Sequence, residues 1–373
     1  MAAASAVARA ISGPARLQGI DLARGLAVLG MLAAHLVALP TWDWRDPATW
    51  TDIVNGRSSI LFATLAGVSI GLVTGGSRPL PPGPAPARAR RALTARAALL
   101  WVIGLGLIAT HVPVFVILPA YALLFLLAVP LLRLRARTLW VLAGALALVT
   151  PWLQPVVDAL PLWHGESGAV LMLVVGWHYP APIWATFLVA GLAAARSDLT
   201  ASRTPVALLA AGGGVAALAA ALDAVTGIGS RGDGSFLATV LSARPHSGGL
   251  LEVAGSGGFA LAVVGLCLLV CRLDAAAAVS FPLRAVGSMP LTAYTGQILV
   301  WAVVAAAVLG DVGDLGGMRR LGLFWAFAIG TVSFCTLWAM RWGRGPLERL
   351  VARAVRWVVP PEGTGSKRGI GAL

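Results

Sequence analysis

The chain has 373 residues, of which 58% are hydrophobic and only 12% are charged, and its mean hydropathy is +0.84. Soluble proteins carry about 25% charged residues, so this chain lacks the charge needed to cover a water-facing surface. The composition therefore excludes a soluble enzyme, a disordered chain and a secreted disulfide scaffold. It indicates a polytopic membrane protein, with the lipid bilayer as its first partner.

The formal net charge is +13, from 28 Lys and Arg against 15 Asp and Glu. Such a balance can indicate nucleic-acid binding, but here the arginines lie between apolar segments and do not form one basic module. We therefore predict no nucleic-acid partner. The cysteines Cys267, Cys271 and Cys335 lie inside apolar segments without metal-ligand spacing, so we predict neither a disulfide nor a bound metal.

Apolar segments close to the roughly 20 residues that cross a bilayer as a helix recur along the chain. Residues 97–132 carry no Asp, Glu, Lys or Arg. As one helix they would measure about 54 Å, too long for a single crossing. Pro113 disfavours helix at the residue before it, so a hairpin is predicted there, and residues 168–177 are predicted to be a short interfacial helix. The sequence thus predicts an all-α bundle of about ten transmembrane helices, near residues 20–40, 58–75, 92–111, 113–132, 138–156, 180–196, 205–223, 249–272, 284–309 and 321–341.

Basic residues predict the orientation of these spans. With an even number of spans, both termini and every second loop share one side, which would hold 22 of the 28 Lys and Arg. A basic excess marks the cytoplasmic face, so both termini are predicted to be cytoplasmic. The six basic residues on the other side are Arg45, Arg57, Arg231, Arg244, Arg319 and Arg320.

Three regions follow from this layout. Residues 1–15 are predicted to be a cytoplasmic N-terminal segment without a cleavable signal. Residues 16–357 form the transmembrane domain, and the polar, glycine-rich residues 358–373 are predicted to be a disordered cytoplasmic tail. The heavy use of Ala, Gly and Leu is typical of a GC-rich bacterial genome, so the predicted location is a bacterial cell membrane.

The first span carries the main candidate residues. His35 follows Arg24 by eleven positions, which is within about 20° of three full helical turns. The two side chains therefore share a face and lie about 16 Å apart along the axis. An ionisable group inside a membrane is a functional candidate by default, and Asp21 can pair with Arg24 at the i, i+3 spacing.

A second set of candidates lies outside the first span. Arg57 opens the second span from outside and could stabilise negative charge electrostatically; an interface anchor is an equally good interpretation. His246 and Glu252 do not share a face of a regular helix, so they are not predicted to act as a pair. Asn55 is a further candidate, and Tyr294 and Gln297 are predicted to serve polar packing between helices.

Several segments resemble one family. The first span reads IDLARGLAVLGMLAAHL at 20–36, within the phrase Arg-x4-Asp-x2-Arg-Gly, and Gly-Arg-Ser leads into an apolar run at 56–72. Residues 285–300 read AVGSMPLTAYTGQILV, and residues 341–350 read RWGRGPLERL. These segments resemble the transmembrane acyltransferase superfamily, and most closely the heparan-α-glucosaminide N-acetyltransferase catalytic domain and the YeiB-like bacterial membrane proteins.

The resemblance implies an acyltransferase that takes an acetyl or short acyl group from cytoplasmic acyl-CoA, its co-substrate, to an extracytoplasmic glycan or glycolipid acceptor. It implies a catalytic role for His35 and binding of the CoA phosphates by Arg24 beside Asp21. In the heparan enzymes the histidine lies after the first span, whereas the corresponding loop here, 40–56, contains none. Two alternatives stay open: a proton-coupled transporter or flippase, and a membrane scaffold without chemistry.

Overall fold

The computed structural model describes residues 16–43, 45–227 and 235–360. All regular structure in these ranges is helical, which confirms the predicted all-α class, and eight helices there are long and apolar enough to cross a membrane. Residues 1–15, Trp44, Arg231 and most of the predicted tail lie outside the described ranges. The α-helices are α1 (Gln18–Leu36), α2 (Arg57–Val73), α3 (Pro84–Ile108), α4 (Leu118–Ala128), α5 (Ala136–Asp158), α6 (Gly165–Val175), α7 (Ala181–Arg196), α8 (Arg203–Thr226), α9 (Phe236–Val240), α10 (Leu250–Val270), α11 (Asp274–Val279), α12 (Phe281–Ser288), α13 (Pro290–Val308), α14 (Leu315–Arg320), α15 (Phe324–Trp342) and α16 (Pro346–Val358).

Each of the ten predicted spans contains a helix, but two of these helices are short. One is α4 with its 3-10 extension to Leu131, and the other is α7. The predicted break near Pro113 is confirmed, because α3 ends at Ile108 and α4 begins at Leu118. The number of crossings and the cytoplasmic termini stay predictions.

The predicted ninth span, 284–309, is wrong at its start. The chain forms two helices there, α12 and α13, which are separated at Met289. Pro290 disfavours helix at the residue before it and suits the first position of a new helix. The short helix α12 can therefore pack against α1 independently of the long apolar helix that follows.

Small residues set the helix contacts. Gly67 of α2 lies against the carbonyl of Leu188, and Gly191 of α7 lies against the carbonyl of Thr64. Through these two reciprocal contacts the backbones of α2 and α7 approach closely, so Gly67 and Gly191 serve helix packing. A Cβ atom added at Gly212 would lie 2.6 Å from the carbonyl oxygen of Gly258, and a Cβ atom added at Gly258 would lie 2.6 Å from the carbonyl oxygen of Gly212. Helices α8 and α10 are therefore in direct backbone contact.

Arg196, at the end of α7, is buried and connects three parts of the bundle. Its Nη1 donates to the carbonyl oxygens of Gly71 at 2.8 Å and Gly76 at 2.6 Å. Its Nη2 donates to Thr74 Oγ1 at 2.9 Å and to the Leu132 carbonyl at 2.8 Å. Basic side chains suit the free carbonyls at helix C-termini, so Arg196 holds together the ends of α2, α4 and α7.

We predict that Arg196→Met destabilises the protein by about 3 kcal/mol, because several buried carbonyl groups lose their donors. Thermal unfolding of the purified protein in detergent measures the change. The matched control is Arg137→Met, which removes an exposed arginine from the start of α5. Equal stability of the two variants would contradict the proposed role of Arg196.

Candidate functional site

Helix α1 carries the two principal candidates on one uninterrupted segment from Gln18 to Leu36. Arg24 lies in its second turn and His35 in its last turn, about 16 Å apart along the axis. We call the end of the bundle around Arg24 the arginine-rich end and the end around His35 the histidine end.

Asp21 organises the arginine-rich end of α1. Its carboxylate is buried and accepts hydrogen bonds from Arg16 Nε at 2.5 Å and from Arg24 Nη1 at 2.9 Å. The predicted pairing of Asp21 with Arg24 is thus confirmed. Arg24 Nη2 also donates to Ser69 Oγ of α2 at 2.7 Å, so its guanidinium is held in one place. Two guanidinium groups share one carboxylate, and the cluster keeps a net positive charge.

Further arginines extend this positive charge. Arg96 of α3 is close enough to Arg24 and Arg344 for direct electrostatic interaction. Arg284 of α12 interacts in the same way with Asp21 and donates a hydrogen bond to the side chain of Gln18. The sequence marks these arginines only as indicators of topology, because their convergence depends on helices distant along the chain.

Glu348 belongs to the RWGRGPLERL segment and has a structural role there. Its carboxylate accepts from the backbone N–H of Leu291 at 2.8 Å and of Thr292 at 3.1 Å. Thr292 Oγ1 donates to it at 2.5 Å. These N–H groups are the free donors of the first turn of α13, so the carboxylate caps that helix and ties α16 to it.

His35 has a different environment at the other end of α1. Its side chain is half-buried and forms no hydrogen bond with any part of the chain that the structure describes. Arg319 of α14 donates from Nε to the backbone carbonyl of His35 at 2.9 Å, which caps α1. The guanidinium of Arg319 and the imidazole of His246 are close enough to His35 for direct electrostatic interaction. The ring nitrogens of His35 are therefore without a hydrogen-bond partner among the residues that the structure describes.

Glu252 and His246 lie together, although not through their side chains. The Glu252 carboxylate accepts from the backbone N–H of His246 at 2.5 Å and of Gly248 at 2.7 Å. His246 has a φ of 62°, in the left-handed region, which is uncommon for residues other than glycine. The sequence-based argument placed both residues on a helix, but α10 begins only at Leu250, and the chain before it folds back over the carboxylate.

A small cavity of about 50 Å³ lies beside this loop. His178, His246, Glu252, Gln154 and Asp158 contribute polar groups to its wall, whereas His35 is not one of the lining residues. Burial lowers the pKa of His246 below its ordinary value, and neighbouring His178 lowers it further. Burial also lowers the pKa of His178. Both imidazoles are consequently neutral near pH 7 and can accept a proton or a hydrogen bond.

Arg57 lies at the start of α2, at the histidine end. Its guanidinium is 6.0 Å from the ring centroid of Phe259 and interacts electrostatically with Asp52 and Glu252. Within the described ranges it forms no hydrogen bond or salt bridge, so its N–H donors are free. Asn55 instead donates to Asp52 Oδ1 at 2.9 Å, which stabilises the loop before α2.

Tyr294 and Gln297 serve packing, as predicted. The Tyr294 hydroxyl accepts from the backbone N–H of Ile117 at 3.3 Å. Gln297 Nε2 donates to Thr331 Oγ1 of α15 at 3.3 Å. Both side chains are buried between helices.

Comparison with known proteins identifies the family. The family described as heparan-α-glucosaminide N-acetyltransferase, catalytic, matches residues 16–217, more than half of the chain. The family described as protein of unknown function (DUF418) matches residues 241–358. Neither the curated proteins nor the solved structures gave a match. The first match contains the Asp21 cluster, His35 and Arg57, and the second contains His246, Glu252 and Glu348. The chain belongs to the heparan-α-glucosaminide N-acetyltransferase catalytic family, the family of membrane acetyltransferases that its first span resembles.

Proposed function

We propose that this protein transfers an acetyl or short acyl group from cytoplasmic acyl-CoA to a hydroxyl or amino group of an extracytoplasmic sugar or glycolipid. The observation that carries the proposal is the polarity of α1. A fixed, net-positive arginine cluster lies at one end of the helix, and at the other lies a histidine whose side chain makes no hydrogen bond within the described ranges. This polarity supports anion binding at one end of the helix face and proton acceptance at the other.

The arginine-rich end suits the phosphates of CoA. Guanidinium groups bind phosphate oxygens bidentately and keep their charge at any working pH. Asp21 and Ser69 hold Arg24 in position, and Arg96 and Arg344 add positive charge nearby. The pantetheine arm would then extend along α1 for the roughly 16 Å to His35.

The histidine end suits acyl transfer. We assign His35 as the base that takes the proton from the acceptor hydroxyl or amine while that group attacks the thioester carbonyl. The carbon–sulfur bond then breaks, CoA leaves as the thiolate, and the proton on His35 neutralises it. Arg57 has free donors and would stabilise the negative charge on the carbonyl oxygen during the attack. His246 is the histidine next to His35, and its contribution is measured with the variant His246→Ala, described below.

The cavity beside His246 suits the acceptor. Its wall combines a carboxylate, an amide and two imidazoles with the ring of Trp184. Its volume of about 50 Å³ is far below the roughly 300–1,000 Å³ of a whole ligand site, so it admits one hydroxyl or amino group of the sugar and not the entire ring. The cavity lies at the histidine end, which the predicted topology places outside the cytoplasm, where a glycan acceptor would be presented.

His35→Ala is expected to reduce acetyl transfer about 100-fold, the usual contribution of a general base. The measurement follows radiolabelled acetyl groups from acetyl-CoA to glucosamine and methyl glucoside, with purified protein in detergent. His246→Ala tests the neighbouring imidazole under the same conditions. His164→Ala is the control, because His164 is exposed and does not line the cavity beside His246. Transfer by His35→Ala at the wild-type rate would refute the assignment. Uptake of the sugar by vesicles in the absence of acetyl-CoA would favour a transporter.

Arg24→Gln is expected to raise the KM for acetyl-CoA about tenfold, because a hydrogen bond to a charged group contributes about 1.5 kcal/mol or more. Arg96→Gln should act in the same direction without disturbing Asp21. The exposed Arg137→Gln serves as control for the loss of one positive charge. Should kcat fall in Arg24→Gln while the KM stays unchanged, phosphate binding by this residue would be ruled out.

Gln154→Met is expected to raise the KM for the sugar acceptor several-fold, about the effect of one hydrogen bond, and to leave the KM for acetyl-CoA unchanged. The matched control is Gln297→Met, which alters a glutamine that packs between α13 and α15. A change in the KM for acetyl-CoA alone would place the donor, and not the acceptor, in this cavity.

A further inference from the structure

A second and much larger cavity, of about 660 Å³, lies between α5, α7, α8 and α10. Alanine and glycine make up about half of its wall, among them Ala143, Gly144, Ala207 and Ala211. Ligand sites of this kind usually measure about 300–1,000 Å³. The volume is thus that of a ligand site and not of a packing defect.

The cavity lies between two helix pairs. Within each pair the helices are in close contact, and the space between the pairs stays open. Gly212 and Gly258 hold α8 against α10, and Gly67 and Gly191 hold α7 against α2. Alanine and glycine on the facing surfaces of α5 and α8 leave the space open. A Cβ atom added at Gly144 would meet no atom within 4 Å.

The shape of the cavity is elongated and open on one side. On α8 its wall runs from Arg203 to Val215, twelve residues or about 18 Å along the axis. Ala207, Ala211 and Val215 are exposed, so the opening faces the surroundings of the bundle between α5 and α8. For a transmembrane bundle those surroundings are lipid chains.

One end of the cavity carries the groups of a membrane interface. The side chain of Arg203 is exposed and forms no hydrogen bond or ion pair with any described residue, so its charge can pair with an anionic group. Trp140 donates from Nε1 to Ser197 Oγ at 3.0 Å, and tryptophan is enriched at the level of lipid head groups. The other end is closed by Phe187, which also lines the small cavity beside His246.

We propose that this cavity binds one acyl chain of an anionic phospholipid, with the phosphate of that lipid on Arg203. The apolar wall matches a hydrocarbon chain, the open side lets it enter from the bilayer, and the free guanidinium matches an anionic head group. The binding does not depend on acyl transfer. Since Phe187 separates the two cavities, the bound chain would support the wall of the acceptor site.

Photolabelling tests the site directly. The protein is reconstituted in phosphatidylcholine vesicles that contain a trace of phosphatidylglycerol with a diazirine in its acyl chain. After illumination, the labelled residues are identified by mass spectrometry. We expect adducts on the cavity wall of α8 and α10. Arg203→Gln should reduce this labelling about fivefold, the effect of one basic residue near an anionic lipid, and a phosphatidylcholine probe should label the wall less.

A second test fills the cavity with larger side chains and repeats the photolabelling. Gly144→Leu and Ala211→Leu both add a large side chain to the wall and should abolish labelling of α10. Gly214→Leu is the matched control, because Gly214 is an exposed helix residue with open space around it and does not line the cavity. Labelling that is equal in Gly144→Leu, Ala211→Leu and Gly214→Leu would overturn the proposal, as would equal labelling by the two lipid probes. Acetyl transfer by these variants is measured separately, so the two proposals fail independently.

Discussion

The direct backbone contacts of α1 are the constraint on which the candidate site depends. Gly19 lies against the backbone of Cys267 and Leu268 in α10, and Gly25 lies against the carbonyl of Leu283 in α12. Helices in a bilayer associate through close packing and hydrogen bonds, because lipid chains remove the hydrophobic driving force between them. Asp21 and Arg24 lie between these two glycines. Their positions are therefore set by contacts that tolerate no side chain.

Buried and half-buried charged side chains are likewise held in place by contacts with neighbouring groups. Asp21, Arg196, Glu252 and Glu348 each make several hydrogen bonds to guanidinium, carbonyl or backbone N–H groups. These bonds offset the large cost of removing a charge from water, and they hold helix ends and loops in place. His35 and Arg57 differ, because their side chains make no hydrogen bonds within the described ranges. That contrast separates charged groups whose bonds build the fold from the two side chains that we propose to act on another molecule.

The sequence-based prediction succeeded where the signal was local. The Asp21–Arg24 pair and the alignment of Arg24 with His35 follow from helical periodicity alone, and both hold in α1. The argument about His246 and Glu252 assumed a regular helix, whereas the chain folds back before Leu250 and joins the two residues through a backbone N–H group. The break at Met289 was missed because the apolar run continues past Pro290, although that proline disfavours helix at the residue before it just as Pro113 does.

The sequence by itself determined the all-α class, the approximate positions of the helices and the candidates on α1. These properties depend on hydropathy and on a period of 3.6 residues, which any segment carries without its neighbours. Only the tertiary structure decided which distant groups meet: Arg96 with Arg24 and with Arg344, His246 with His35, and the wall of the large apolar cavity. The reason is physical, because these contacts depend on how glycines and buried charges set the distances between helices, and no local pattern encodes those distances.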